Sequence, residues 1–285
     1  MKKYAFWIFT LLLVVDANAQ KIFDVHLHGD KEPTKQLQNL STAGVYKAAV
    51  SSSWDLQSGY KSDQKISILQ GLMVPCPEGK VPYSSQYCFE NKSEFPDVAW
   101  VEQLMKDGKI DFLGEVLTQY YGISSSDERM LPYYELAEKY DIPVGIHTGL
   151  AGPNHGSPNF KVSLGTPMLL EPLLQKFPKL RVWIMHAGAP FLDDTIAIMA
   201  YYQNVYIDIS VLNNPYIFPA AEFASTLKRF IEGGLEDRMM FGSDNGNINK
   251  IIQNVEAQTF LTKTQKEKIY FQNAETFFKK SIDKK

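Results

Sequence analysis

Eight short apolar runs, rich in β-branched and aromatic residues, recur along the chain, and segments of helical spacing separate them. The runs occupy 22–28, 46–52, 66–74, 110–116, 143–148, 181–187, 205–210 and 239–243. Most are continuous in hydrophobicity rather than alternating, which is how strands covered on both faces read. The helical segments are 33–43, 94–107, 126–140, 166–177, 192–203, 219–232, 249–260 and 263–280. The first opens on Pro33 and stops at Gly44, a helix start and a C-cap. The third opens Ser126-Asp127-Glu128, an N-cap followed by first-turn acids. The last is expected to lie across the outside of the fold. Parallel neighbours need a crossover connection, so strands alternating with helices imply βα units. Eight such units in 285 residues predict a closed (β/α)8 TIM barrel forming a single domain. An open doubly wound sheet is the alternative.

Residues 1–19 stand apart from this pattern. Lys2 and Lys3 precede an apolar run at 5–15, and Ala17-Asn18-Ala19 follows as a small-x-small cleavage site. The apolar run is short of the roughly 20 residues a membrane-spanning helix needs. The arrangement predicts a signal peptide cut before Gln20, leaving 20–285 as the catalytic domain and exporting it to the periplasm or the medium. Export places Cys76 and Cys88 in an oxidising compartment, where they are expected to form a disulfide across a loop containing Pro77, Gly79 and Pro82. No later segment is long and apolar enough to span a bilayer, so no stable membrane insertion is expected after cleavage. The formal net charge is −3. No basic run rises above it, so nothing points to nucleic acid as a partner. The lysines at 279, 280, 284 and 285 read as a solvated helix end.

The polar residues fall at the strand ends. The five histidines are His26, His28, His147, His155 and His186. His26 and His28 close the first strand, His147 the fifth and His186 the sixth, while Asp244 follows the eighth directly. Strand C-termini converge on one face of a barrel, where active sites form. His26 and His28 are two apart and point the same way from a strand. With His147 and Asp244 approaching from other sides, three imidazoles and a carboxylate suit a divalent transition metal such as zinc.

The motifs that carry these residues resemble those of the amidohydrolase superfamily, and within it the amidohydrolase-related (amidohydrolase family 2) group. Phe23-Asp24-Val25-His26-Leu27-His28-Gly29 resembles its opening motif and Leu113-Gly114-Glu115-Val116 its fourth-strand segment. Ile142 to Gly149, Met185-His186-Ala187-Gly188 and Phe241-Gly242-Ser243-Asp244 resemble the fifth, sixth and eighth. Gln272-Asn273-Ala274-Glu275-Thr276-Phe277-Phe278 is similar to the family's terminal helix. The resemblance implies a metal held by His26, His28, His147 and Asp244, with Asp244 also the general base. It implies that His186 binds a second ion or polarises water or substrate, and that Asp24 supports the centre from behind. Glu115 would bridge two ions or hydrogen-bond a neighbouring loop, so one or two ions remain open.

The implied chemistry is hydrolysis of an amide, ester, lactone or phosphoester in a small-molecule substrate, by water activated on the metal. The same group includes metal-dependent nonoxidative decarboxylases of aromatic acids, the first alternative. That reaction favours a cation to hold the substrate carboxylate. Arg129 sits at a helix start, and Arg181 and Arg238 precede strands at the far end of the barrel. The second alternative is a non-catalytic binding barrel. Trp54, Tyr120, His155, Asn213, Asn245 and Asn247 follow strands on the metal-bearing face and are the expected substrate contacts. Their mix favours a neutral or sugar-like substrate over a polyanion.

Overall fold

The computed structural model describes residues 21–63 and 65–279. The expected signal peptide at 1–19 lies outside them. The strands are β1 (Ile22–His28), β2 (Val45–Ser51), β3 (Ser67–Val74), β4 (Phe112–Val116), β5 (Val144–Ile146), β6 (Val182–Ile184), β7 (Val205–Asp208) and β8 (Met239–Met240). They lie side by side in sequence order, and each successive pair is parallel. At the last seam Val25 N–H donates to the Phe241 carbonyl (2.9 Å) and Asp244 N–H to that of His26 (2.8 Å). The sheet thus comes round on itself as a (β/α)8 barrel, and the closing bonds set the β1 ligands beside Asp244.

The helices are α1 (Pro33–Thr42), α2 (Trp54–Gln57), α3 (Val98–Lys106), α4 (Thr118–Tyr121), α5 (Leu131–Lys139), α6 (Glu171–Lys176), α7 (Leu192–Tyr201), α8 (Ala220–Glu232), α9 (Ile248–Glu256), α10 (Lys263–Glu267) and α11 (Asn273–Phe278). None of the described helices is long and apolar enough to cross a membrane. The helix expected to start at 94 begins at Val98, because Asp97 is its cap and accepts from Trp100 N–H at 2.9 Å. The short α2 and α4 form inside segments that the apolar pattern leaves as loops.

The terminal helix does not lie across the outside. Between α10 and α11 it passes through a π-helical turn at Lys268–Gln272, and its end closes the N-terminal mouth of the barrel. The Phe278 ring sits 5.2 Å from Phe23 and 5.4 Å from Trp183, and Phe277 lies 5.6 Å from Trp183. Phe23, Phe112 and Trp183 fill the interior above them. Their bulk demands glycine on the facing strands. A Cβ at Gly145 would come within 2.3 Å of the Trp183 ring, and one at Gly71 within 2.4 Å of the Phe112 ring. A filled base leaves the C-terminal mouth as the face for chemistry.

β5, β6, β7 and β8 each end two or three residues before their apolar runs do, and beyond β6 and β8 the backbone makes a local turn. His186 and Ala187 take φ of +59° and +48°, and Asp244 and Asn245 take +45° and +55°. Non-glycine residues rarely adopt this left-handed region. Extended pairing stops where the chain turns its polar side chains over the mouth.

Candidate metal centre

β1 presents Asp24, His26 and His28 on one face, two residues apart. Asp24 is buried, and its Oδ1 accepts the backbone N–H groups of His26 (3.1 Å) and Ser243 (3.0 Å). It ties β1 to the segment after β8. His26 is also buried, and its Nδ1 lies 3.0 Å from Oδ2 of Asp208, the last residue of β7. That contact fixes the ring and leaves Nε2, which is buried with no hydrogen-bond partner. Opposite it stands Asp244 Oδ1, 3.9 Å from His26 Nε2 and 3.1 Å from His28 Nε2.

Glu115, at the end of β4, occupies the middle of the mouth. Its oxygens lie 2.6 Å from His147 Nδ1, 3.4 Å from His28 Nε2 and 3.9 Å from His186 Nε2. Two trios therefore bring ligand atoms within 4.8 Å of one another: His26, His28 and Asp244, and His26, Glu115 and His186. They share His26. With Nδ1 held by Asp208, His26 has one nitrogen to offer one ion, so the trios are overlapping halves of one mouth. His147, expected as the third ligand, belongs to neither trio. Its Nδ1 is taken by Glu115, and its Nε2 is buried without a partner.

Electrostatics explain how these groups tolerate one another. Burial works against ionising Glu115, but the His147 hydrogen bond and the charges of His147, His28 and His26 prevail and hold it down to about 2. Asp244 faces the same burial and is held well below the carboxylate range by His28, His26 and His186. Burial also opposes a proton on His26, yet the Asp208 charge and hydrogen bond outweigh it and raise the ring to about 10. His28 is raised despite burial, by Asp244 and Glu115. His186 goes the other way, pushed down to about 4 by burial and by the charges of His26 and His147. Burial raises Asp24 to about 6. The ionised carboxylates thus favour positive charge at His26 and His28, as they would favour a cation set among them. The orphaned Nε2 of His26 and this donor set of imidazole and carboxylate fit a divalent transition ion.

Above the centre opens a cavity of about 590 Å³ whose floor includes His28, Glu115, His147, His186 and Asp244. Tyr83 and Gln86 reach one wall from the loop between Cys76 and Cys88. Those cysteines are joined as the sequence predicts, with Cα atoms 6.3 Å apart. The Tyr83 hydroxyl donates to the Gly152 carbonyl at 2.8 Å, clipping the loop to the turn after β5. Leu150, Val211 and Ile217 complete an apolar rim, and no lysine or arginine is among the described residues that line the cavity.

The expected substrate contacts separate into two sets. Tyr120 lines the cavity and lies 4.6 Å from the His147 ring. Asn245 lines it too, although its Oδ1 accepts from His28 N–H (3.0 Å) and Gln36 Nε2 (3.2 Å) and so braces a ligand strand. The others do not line it. Trp54 stacks edge-on against Trp100 at 5.4 Å. His155 stands behind Tyr120, 4.7 Å from Phe160, with Nδ1 accepting from Ser157 N–H. Asn213 is fully buried and donates to the Gly242 carbonyl. Asn247 caps α9 by accepting from Lys250 N–H, beside a separate groove of about 500 Å³. Two residues at the centre lie outside the sequence expectations, Asp208 and Ser210.

A family model described as amidohydrolase matches residues 113–280. No curated protein sequence matches the chain. Similar solved structures include an uncharacterized TIM-barrel protein from Bordetella bronchiseptica, with a TM-score of 0.63 and 18% identity over 90% of this chain and 98% of that one. A 2,6-dihydroxybenzoate decarboxylase from Rhizobium aligns with a TM-score of 0.61 and 14% identity over 91% and 98%. A probable 2-pyrone-4,6-dicarboxylic acid hydrolase from Acinetobacter baumannii gives 0.60 and 13% over 91% and 99%. At these identities the likeness is one of fold.

Proposed function

The chain belongs to the amidohydrolase family, and from that premise we propose that it is a divalent-metal-dependent hydrolase of a neutral amide, ester or lactone. The observation that carries the reading is His26 Nε2, buried and unpartnered, with His28 and Asp244 converging on it. These three would hold the ion, and Glu115 and His186 face it from the other half of the mouth. Zinc suits this mixture of imidazole and carboxylate. When bound, such an ion makes water a nucleophile at neutral pH and polarises the bond under attack.

The chain's own groups do the rest. Asp208 orients His26, and Asp24 holds the backbones of His26 and Ser243 in register. The Asp244 side chain is a quarter exposed and ionised, so it can take the proton of the attacking water and pass it to the leaving group. The apolar rim receives the uncharged part of the substrate. With no lysine or arginine among the described residues that line it, the wall favours a neutral substrate and disfavours the decarboxylation of an aromatic acid, whose carboxylate needs a cation.

Zinc-loaded chain is expected to hydrolyse members of a panel of neutral esters, amides and lactones, and to lose that activity on chelation. Carbon dioxide release from aromatic acids without hydrolysis would overturn the reading in favour of decarboxylation. A chain that takes up no transition metal would point to a binding barrel.

We further propose export. The basic and apolar start with Ala17-Asn18-Ala19 supports it, as does the Cys76–Cys88 disulfide, which persists in oxidising compartments. The mature protein is expected in an osmotic-shock or culture fraction with Gln20 at its N-terminus. Intact Met1 on a cytoplasmic product would refute this.

A further inference from the structure

The end of β7 and the turn just after it place two side chains, Asp208 and Ser210, beneath the centre. Asp208 Oδ1 accepts from His186 N–H (3.2 Å), from Ser210 N–H (3.0 Å) and from the Ser210 hydroxyl (2.5 Å). Asp208 Oδ2 faces His26 Nδ1. Ser210 Oγ in turn lies 2.9 Å from His186 Nδ1 and 3.1 Å from His26 Nδ1. All of these groups are buried.

Proton counting then decides the orientation. An ionised carboxylate has only acceptors, and a hydroxyl has one proton to give. The contact between Ser210 Oγ and Asp208 needs a proton, and serine must supply it. Ser210 Oγ is left only to accept, so the proton between it and His186 belongs to His186 Nδ1. We propose that Asp208 and Ser210 are positioning residues that hold a proton on Nδ1 of both histidines, directly in His26 and through the serine hydroxyl in His186, so that His186 presents a bare Nε2 to the cavity.

The consequence, which rests on the hydrolase reading, concerns the role of His186. A bare Nε2 accepts a proton or binds a cation; it cannot donate a hydrogen bond to oxygen charge developing on a substrate. Of the two roles the sequence allows, polarising the substrate by donation is therefore excluded. The neighbouring geometry agrees. His186 Nε2 and Glu115 Oε1 face each other at 3.9 Å, two acceptors with room for a cation or a donor between them.

The test reads the proton itself. In full chain carrying 15N-labelled histidine, stripped of metal and held at pH 8, His186 is identified by the signals lost in His186→Gln. Its Nδ1 is expected to be of the protonated, pyrrole type and its Nε2 of the bare, pyridine type. Ser210→Ala is expected to shift His186 toward the Nε2-protonated form and to lower kcat with KM held, while zinc affinity changes little. Asp208→Asn removes the partner of His26 as well, and zinc affinity is expected to fall about 10–100-fold, the usual effect of losing such support. A wild-type His186 protonated on Nε2 or on both nitrogens overturns the proposal, as does an unchanged His186 signature in Ser210→Ala. If the proton placement is found but no substrate is hydrolysed, the functional reading fails and the assignment of Asp208 and Ser210 stands.

Discussion

Replacing Asp244 with asparagine is expected to lower turnover by about 10²–10⁴-fold at saturating zinc while leaving the barrel folded, the range associated with losing a positioned general base. The fold survives because the seam between β1 and β8 uses the backbone of Asp244, whose N–H reaches the His26 carbonyl whatever the side chain. Asparagine is also isosteric, and its carbonyl oxygen can still accept from His28 Nε2 across 3.1 Å. What it lacks is basicity. Asp244 stays ionised because His28, His26 and His186 outweigh its burial, and its side chain is a quarter open to the cavity. The measurements are kcat on a verified ester or amide and a thermal melt of the same preparation. Wild-type turnover with a normal melt would remove Asp244 from the reaction. A collapsed melt would mean that its carboxylate is structural.

Much of this centre can be read from the sequence because a barrel converts position along the chain into position in space. His26, His28, Glu115, His186 and Asp244 each fall near the C-terminal end of a strand, and parallel closure brings those ends together. Asp208 ends β7 in the same manner. A search keyed to histidine passes over it, although the same rule reaches it. Other features depend on information that spacing does not carry. His147 has the right strand end, but its ring is turned by a hydrogen bond to Glu115. Trp54, Asn213 and Asn247 follow strands, yet ring packing, a buried carbonyl and a helix cap claim their side chains. Tyr83 and Gln86 reach the cavity wall from a loop whose path is set by a disulfide and by a clip to the turn after β5. β6 stops short of its apolar run because φ becomes positive at His186 and Ala187, a local turn that the run itself does not betray.

Zinc is expected to raise the melting temperature of the chain, and to raise it more at pH 8 than at pH 6. Binding to the folded state alone contributes about 4 kcal/mol when free zinc is a thousand times its Kd. For a domain of this size that is on the order of 10 °C. The pH dependence follows from the protons that the ion must displace. His26 is raised from its ordinary 6.5 to about 10, and His28 is raised as well. An ion at His26 Nε2 must displace the proton there, while the one on Nδ1 stays with Asp208. Binding therefore releases protons, and affinity climbs with pH by about tenfold per unit for each proton released. The metal-free chain moves in the opposite sense. His26, with its folded value raised, contributes stability that is full below 6.5 and is lost as pH climbs through about 10. Glu115, depressed from 4.5 to about 2, contributes stability that is present above 4.5 and is lost as pH falls through 2. Between these limits two groups oppose each other. Asp24, raised from 3.8 to about 6, takes stability away as pH rises, and His186, lowered from 6.5 to about 4, restores it over a similar range. Above pH 6.5 zinc displaces the His26 proton more readily, so it binds more tightly, and this widens the gap between the two melts. Scanning calorimetry with zinc and with chelator at the two pH values measures that gap. An equal or smaller gap at pH 8 would mean that the ion does not compete with the His26 proton, and that the centre lies elsewhere in the mouth.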